Sequence, residues 1–207
     1  LYATRIASAQ EVSRETLASM EGEMTEAARL LPRPVRFDAV GYGCTSGTSV
    51  IGAARVAELV GAGCDTAAVT EPVSALIAAC RALGLRRLAF LSPYVAAVSE
   101  GLRGVLAQSG VETPVFGSFN EEVETRVARI DTASLCRAAE ALVAGRDVDG
   151  LFLSCTNLRT LDAIPQIEAA TGLPVLSSNQ VLAWHMLRRA GVPDTREGLG
   201  RLWSLGT

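Results

Sequence analysis

The chain has 207 residues, 49% of them hydrophobic, with a mean hydropathy of +0.28, enough to bury a sizeable core in one large domain or two small ones. Its net charge of −3 and pI near 5.3 argue against nucleic acid as a partner, which calls for a basic face. All 19 basic residues are arginine, so the Schiff-base lysine of pyridoxal-phosphate enzymes and the phosphate lysine of a P-loop are both excluded.

Taken in chain order, Leu17, Met20, Met24, Ala27 and Leu31 recur at helical spacing until Pro32 and Pro34 stop the helix. "VRFDAVGYG" reads as a strand running into Cys44, and a helix through Val50, Ile51, Ala54 and Leu59 ends near Gly61 and Gly63. "DTAAVT" is the next strand. Pro72 then opens a helix carrying Val73, Leu76, Ile77, Cys80 and Leu83, closed by Gly84. "RRLAFLSPY" is strand into loop, 95–109 is helix, and "TPVFGSF" is strand into a loop holding Asn120. A helix over 131–144, begun by Asp131 or Thr132, leads to the strand "VDGLFLSC" and a helix ending at Thr171-Gly172. The strand "LPVLS" and the helix "NQVLAWHMLRRAG" follow. This alternation implies an α/β fold of mostly parallel sheets flanked by helices.

No apolar run nears the roughly 18 residues that span a bilayer, and no charged-then-apolar leader opens the sequence. The expectation is a soluble, cytoplasmic protein with no membrane partner. One histidine, His185, and five cysteines at 44, 64, 80, 136 and 155 without a CxxC pair supply too few ligands for a metal site. The odd number and wide spacing of the cysteines suit reduced thiols.

An internal echo divides the chain. Asp38 precedes Cys44 by six residues, Asp149 precedes Cys155 by six, and each cysteine is followed by threonine and a polar residue. The reading is two pseudo-symmetric α/β domains, 1–84 plus 177–207 and 85–176, broken near Gly84 with a return crossing near Ser177.

Ligands of open parallel sheets sit beyond the carboxyl ends of the strands, where both cysteines fall. At a helix N-terminus the free N–H groups and the helix dipole pull a thiol from its usual pKa of about 8.5 towards thiolate. The same groups, with the Thr45, Ser46 and Thr156 hydroxyls, can cradle a small mono- or dicarboxylate. Two thiols facing across a cleft can pass a proton through a carbon. Alternatively, one adds covalently while the other moves the proton. Tyr94, after Ser92-Pro93, either points its hydroxyl into this cleft or sits half-buried at its rim. Asn120 lies where asparagine also serves turns. Cys64, Cys80 and Cys136 read as small hydrophobes and His185 as a structural histidine. "GYG" makes no GxGxxG, so no dinucleotide site is expected.

"GYGCTSGTSVIG", "LSPY", "GSFN" and "LSCTNLRTLDAIPQIEAATGLPVLSSNQVLAWHMLRRAG" together resemble the aspartate/glutamate racemase superfamily, in the branch of maleate cis-trans isomerases and arylmalonate decarboxylases. The match runs in order from about Arg5 to Val192. It implies a cofactor-free site between two α/β domains, and a homodimer. By resemblance Cys44 and Cys155 are the catalytic pair, Thr45 and Ser46 bind carboxylate, Tyr94 is the family tyrosine and Asn120 the asparagine of the substrate loop. The Thr156-Asn157 corner completes the cradle.

In the isomerases resembled here, the first cysteine attacks the alkene carbon, the intermediate rotates about the new single bond, and the second cysteine assists proton movement. Arylmalonate decarboxylases carry glycine at the first position, so Cys44 points towards isomerisation or racemisation. Family members usually begin with one more strand and helix, whose loop supplies an asparagine. "LYATRIAS" resembles the family's second strand, so the first βα unit is expected to be missing from this sequence. The functional expectation is a cofactor-independent isomerase of a small carboxylate, with maleate-to-fumarate conversion leading. The alternatives are a two-base racemase of aspartate, glutamate or hydantoin type, an arylmalonate-type decarboxylase, and a non-catalytic carboxylate-binding protein.

Overall fold

The computed structural model describes residues 1–206, in which helices and short strands alternate. Helices α1 (Arg14–Ser19) and α2 (Glu21–Arg29) precede β1 (Val40–Gly41), and α3 (Thr45–Ile51) and α4 (Ala53–Gly61) lead to β2 (Val69–Thr70). Then come α5 (Pro72–Leu83), β3 (Arg87–Ser92), α6 (Ala96–Gln108) and β4 (Glu112–Ser118). The short α7 (Glu124–Val127) and α8 (Thr132–Val143) lead to β5 (Gly150–Leu153). Last come α9 (Ala163–Thr171), β6 (Val175–Ser177), α10 (Ser178–Arg189) and a 3-10 turn at Arg201–Ser204. β1 and β2 form a small parallel sheet, and a larger parallel sheet runs β4-β3-β5-β6. The α/β class read from the sequence is the class of the fold.

The larger sheet is buried on both faces, which is why its strands read as continuous apolar runs. Along β3, Leu88 and Phe90 face one core while Ala89 and Leu91 face the other; in β5, Phe152 opposes Leu151 and Leu153 in the same way. Phe90 meets Phe152 edge-on at 5.4 Å, under Leu76, Leu106, Val181 and Trp184. Leu135, Ile164 and Ile167 cover the opposite face. Burying each such side chain contributes roughly 1.5–3 kcal/mol. Asp149 ties β5 to the start of β3, accepting the Arg86 and Arg87 amides at 2.8 and 2.9 Å.

Helix starts follow the cap chemistry. Glu71 accepts the Val73 amide at 2.6 Å and the Ser74 amide at 3.1 Å ahead of Pro72, and Asp131 accepts Ser134 at 2.6 Å. Gly84 closes α5 in the left-handed conformation, φ 72°.

Three expectations change. The first helix is two, joined at Met20, where Ser19 and Gly22 weaken a continuous helix and the Tyr42 hydroxyl donates to Met20 Sδ at 3.5 Å. The strands "VRFDAVGYG" and "DTAAVT" shrink to two residues each. Their pairing continues as a Phe37–Thr66 bridge and irregular bonds rather than a regular ladder. "LYATRIAS" forms no strand; its contacts include a Tyr2–Phe37 edge-to-face pair at 5.9 Å.

A separate small core of Met24, Tyr42, Val56 and Val60 supports β1 and β2. Helix α10 joins the two sheets: it leaves β6 and packs on α5 and β1. The approach to β1 is close, because a Cβ at Gly41 would lie 2.4 Å from Met186 Sδ.

Candidate active site

Cys44 sits at the N-cap of α3, where an oxygen-bearing side chain is usual. Its sulfur takes the cap role, accepting the Gly47 amide at 3.2 Å. Position 47 is crowded: an added Cβ would lie 2.4 Å from the Tyr42 hydroxyl and 3.0 Å from Cys44 Sγ, so one of these side chains would have to shift. Thr45 and Ser46 are buried in the first turn, and the Ser46 amide also faces the sulfur.

Cys155 follows β5 with φ 109°, a conformation that costs a non-glycine residue roughly 1–3 kcal/mol. The strained backbone sets its sulfur 3.0 Å from the Tyr94 hydroxyl and 3.2 Å from the Asn157 amide. Sequence reading places a helix directly after this cysteine, but α9 begins only at Ala163. Pro165 explains the delay, because its ring would clash with a helical carbonyl at Leu161. The second corner is therefore a turn and offers no helix N-terminus to the sulfur.

Two clamps hold the corners together. Buried Ser178, at the start of α10, accepts the Thr45 hydroxyl at 2.8 Å and the Cys155 amide at 2.9 Å. The Thr156 hydroxyl donates to the Gly43 carbonyl at 2.9 Å. The residues beside one cysteine are thus bonded to the residues beside the other. The Thr45 and Thr156 hydroxyls, read as carboxylate ligands, are both engaged within the protein.

A cavity of about 550 Å³ opens on Tyr42, Gly43, Cys44, Glu124, Thr156 and Asn157, with an apolar lining that includes Met20, Met24 and Val60. Glu124, at the start of α7, receives the Tyr94 hydroxyl at 2.7 Å and the Asn157 amide group at 2.5 Å. Cys155 and Tyr94 are buried one hydrogen bond back from this wall. Asn120 is elsewhere. It is exposed at φ 52° with its amide on Ser118 Oγ, a turn role, and it is not among the residues lining the cavity.

Electrostatics reverse one expectation. Burial pushes the Cys44 thiol up, against the lowering pull of the Gly47 amide and the Tyr42 hydroxyl, and the Glu124 charge adds to the rise. Burial likewise pushes Cys155 up to about 12, offset by Tyr94 and the Asn157 amide and reinforced by the charges of Glu124 and Cys44. Desolvation outweighs the helix N-terminus, so both sulfurs are held as thiols. Tyr94 is also raised, first by burial and then by Cys155 and Glu124, so it stays a phenol. Because Tyr94 donates to Glu124, its oxygen is free to accept the Cys155 S–H.

The other thiols lie apart. Cys80 is buried in the larger core, pushed up to about 12 by burial, while Cys64 and Cys136 are half-buried away from the cavity. His185 Nδ1 lies 2.7 Å from the Thr70 hydroxyl, the structural role expected of it. Among the described residues no cluster of three or more His, Cys, Asp or Glu side chains could hold a metal, and no helix is long and apolar enough to cross a membrane.

Glu124, Ser178 and Tyr42 escaped the sequence reading. Glu124 lies in the acidic run "EEVETR", which resembles a solvated surface. Ser178 carried a usable signal, since "LSSNQ" sets hydroxyls at a strand end in the same way as the cysteine corners.

The chain matches the family described as arylmalonate decarboxylase over residues 6–203. An arylmalonate decarboxylase from Bordetella bronchiseptica is 38% identical over 136 residues, covering 65% of this chain; the match spans 57% of that relative's length. A maleate isomerase from Pseudomonas putida is 25% identical over 206 residues, 94% of this chain and 80% of its own. One solved structure is a Nocardia farcinica maleate cis-trans isomerase, a cysteine-to-serine mutant with a covalently bound succinylcysteine intermediate. It superimposes with a TM-score of 0.88 at 26% identity, over 98% of this chain and 85% of that chain. With a match this long laid over a racemase-like fold, the chain belongs to the arylmalonate decarboxylase family.

Proposed function

We propose that this chain carries the two-thiol site of a cofactor-independent isomerase acting on a small carboxylate, with maleate-to-fumarate conversion as the reference reaction. The observation that carries the reading is the pair of clamps, Thr45–Ser178–Cys155 and Thr156–Gly43, which hold two cysteine corners beside one cavity. The succinylcysteine reported in the Nocardia structure supports covalent chemistry at a cysteine in a relative of the same fold.

The two sulfurs are not equivalent. Cys44 has the Gly47 amide and the α3 N-terminus to stabilise a thiolate. Cys155 has a tyrosine already committed to Glu124, which favours its protonated form. Cys44 first gives up its proton to solvent through the cavity it lines, and the thiolate then adds to one alkene carbon, forming the C–S bond. The π electrons move to the neighbouring carbon, which takes the Cys155 proton. Rotation about the new single bond follows. Cys155 thiolate then removes a proton, the double bond re-forms, and Cys44 leaves as thiolate with no net change in atoms or electrons.

A second reading, decarboxylation of an arylmalonate, is favoured by the 38% identity to the Bordetella enzyme. There Cys155 would protonate the carbanion left by loss of carbon dioxide. A third outcome is racemisation through proton exchange between the thiols. One experiment separates them: a panel of maleate, arylmalonates and amino acids in deuterated buffer, followed by NMR. Fumarate formation supports isomerisation, loss of carbon dioxide supports decarboxylation, and alpha-deuterium without either supports racemisation. Cys44→Ala and Cys155→Ala should each lower kcat by at least about 100-fold. Near-normal turnover by either variant removes that cysteine from the mechanism.

A further inference from the structure

Resting on the two-thiol reading, we propose that Glu124 sets the charge of the substrate: the site takes one carboxylate together with an N–H donor, an ammonium or a primary amide, in preference to a dicarboxylate dianion. Among the described residues, the charged ones lining the cavity are Arg5 and Glu124, one of each sign. Arg5 is exposed and enters no ion pair among the described residues, so its guanidinium can meet a carboxylate.

Glu124 is held in place. Tyr94 donates to Oε1, and the Asn157 side chain donates to Oε2 and to the Glu124 carbonyl, fixing the carboxylate at the wall shared with Cys44. Each carboxylate oxygen keeps a lone pair for a further donor. Glu124 and Cys44 line the same cavity, so a small substrate seated against Cys44 lies close to the carboxylate. A second carboxylate there meets a like charge in a partly buried site, with a single cation to offset two anions. An ammonium or amide N–H meets an acceptor already aimed. The cavity's balance of charges therefore matches a monoanion carrying a donor.

The test is binding, measured by calorimetry on the chain itself and on Glu124→Gln, with three ligands: maleate, the half-amide of maleate, and alanine. The half-amide represents an alkene substrate and alanine an amino-acid one, so the better of the two identifies the source of the N–H group. The expected result is that one of them binds the unaltered protein at least about tenfold more tightly than maleate does. Glu124→Gln should erase that preference, chiefly by strengthening maleate about tenfold. Equal binding of maleate by the unaltered protein overturns the proposal, as does binding of none of the three or a preference that Glu124→Gln leaves intact. The comparison among ligands on the unaltered protein needs no variant to fold. Ligands that bind with this preference yet undergo no isomerisation, exchange or decarboxylation would refute the proposed function while leaving the role of Glu124 standing.

Discussion

Replacing Ser178 with alanine asks whether the two cysteine corners hold each other in place. Ser178 is fully buried, and its oxygen accepts both the Cys155 amide at 2.9 Å and the Thr45 hydroxyl at 2.8 Å. Alanine leaves the amide, which cannot turn away, without an acceptor. A buried unsatisfied donor costs about 1–3 kcal/mol, and the stranded Thr45 hydroxyl adds up to about 1 kcal/mol because it can rotate. At roughly 2–4 °C per kcal/mol for a chain of this size, the melting temperature should fall by about 2–16 °C. Urea unfolding and calorimetry read the loss, and a double-mutant cycle with Thr45→Val apportions it, with a coupling of about 0.5–1 kcal/mol expected. The variant should also lose at least about tenfold in kcat, because the strained Cys155 backbone is no longer pinned. A change in stability below about 0.5 kcal/mol would refute the clamp.

Gly47→Ala should displace the Cys44 sulfur, because the new methyl would lie 2.4 Å from the Tyr42 hydroxyl and 3.0 Å from Sγ; the loss is about 1–3 kcal/mol by denaturant titration. Alkylation at pH 8 followed by mass spectrometry should label half-buried Cys64 and Cys136 well before Cys155, whose thiolate fraction with a pKa of about 12 is near 10⁻⁴; equal labelling would contradict the burial described. Cys80 and Cys155 are both raised to about 12 in the folded chain, so the fold holds their protons more tightly than the unfolded chain does. Stability should fall as pH rises above about 8.5, by up to roughly 1.4 kcal/mol per pH unit per thiol, and Cys80→Ala should flatten that slope in melts between pH 8 and 10. Phe152→Ala should cost about 3–5 kcal/mol by emptying the contact with Phe90 in the larger core.

Much of the fold was readable from local pattern. Pro72 and Gly84 bracket α5 as their backbone preferences require, and Asp131 caps α8. The apolar runs around Phe90 and Phe152 announced a sheet buried on both faces. Local pattern misleads where an element depends on a distant partner. "VRFDAVGYG" has strand composition but forms a ladder only where β2 meets it, and the helix across Met20 yields to a contact with Tyr42.

At the site, sequence alone singled out the sulfur at each strand end, since a strand, a cysteine and a run of small polar residues are adjacent in the chain. Only the tertiary structure decided what surrounds each sulfur. Glu124 reaches Tyr94 across 30 positions, and Thr45 reaches Ser178 across 133, so no local pattern could reveal either bond. The protonation of the cysteines was decided there as well. A helix N-terminus is visible in sequence and favours thiolate, but the depth of burial that overrides it comes from packing between segments far apart in the chain.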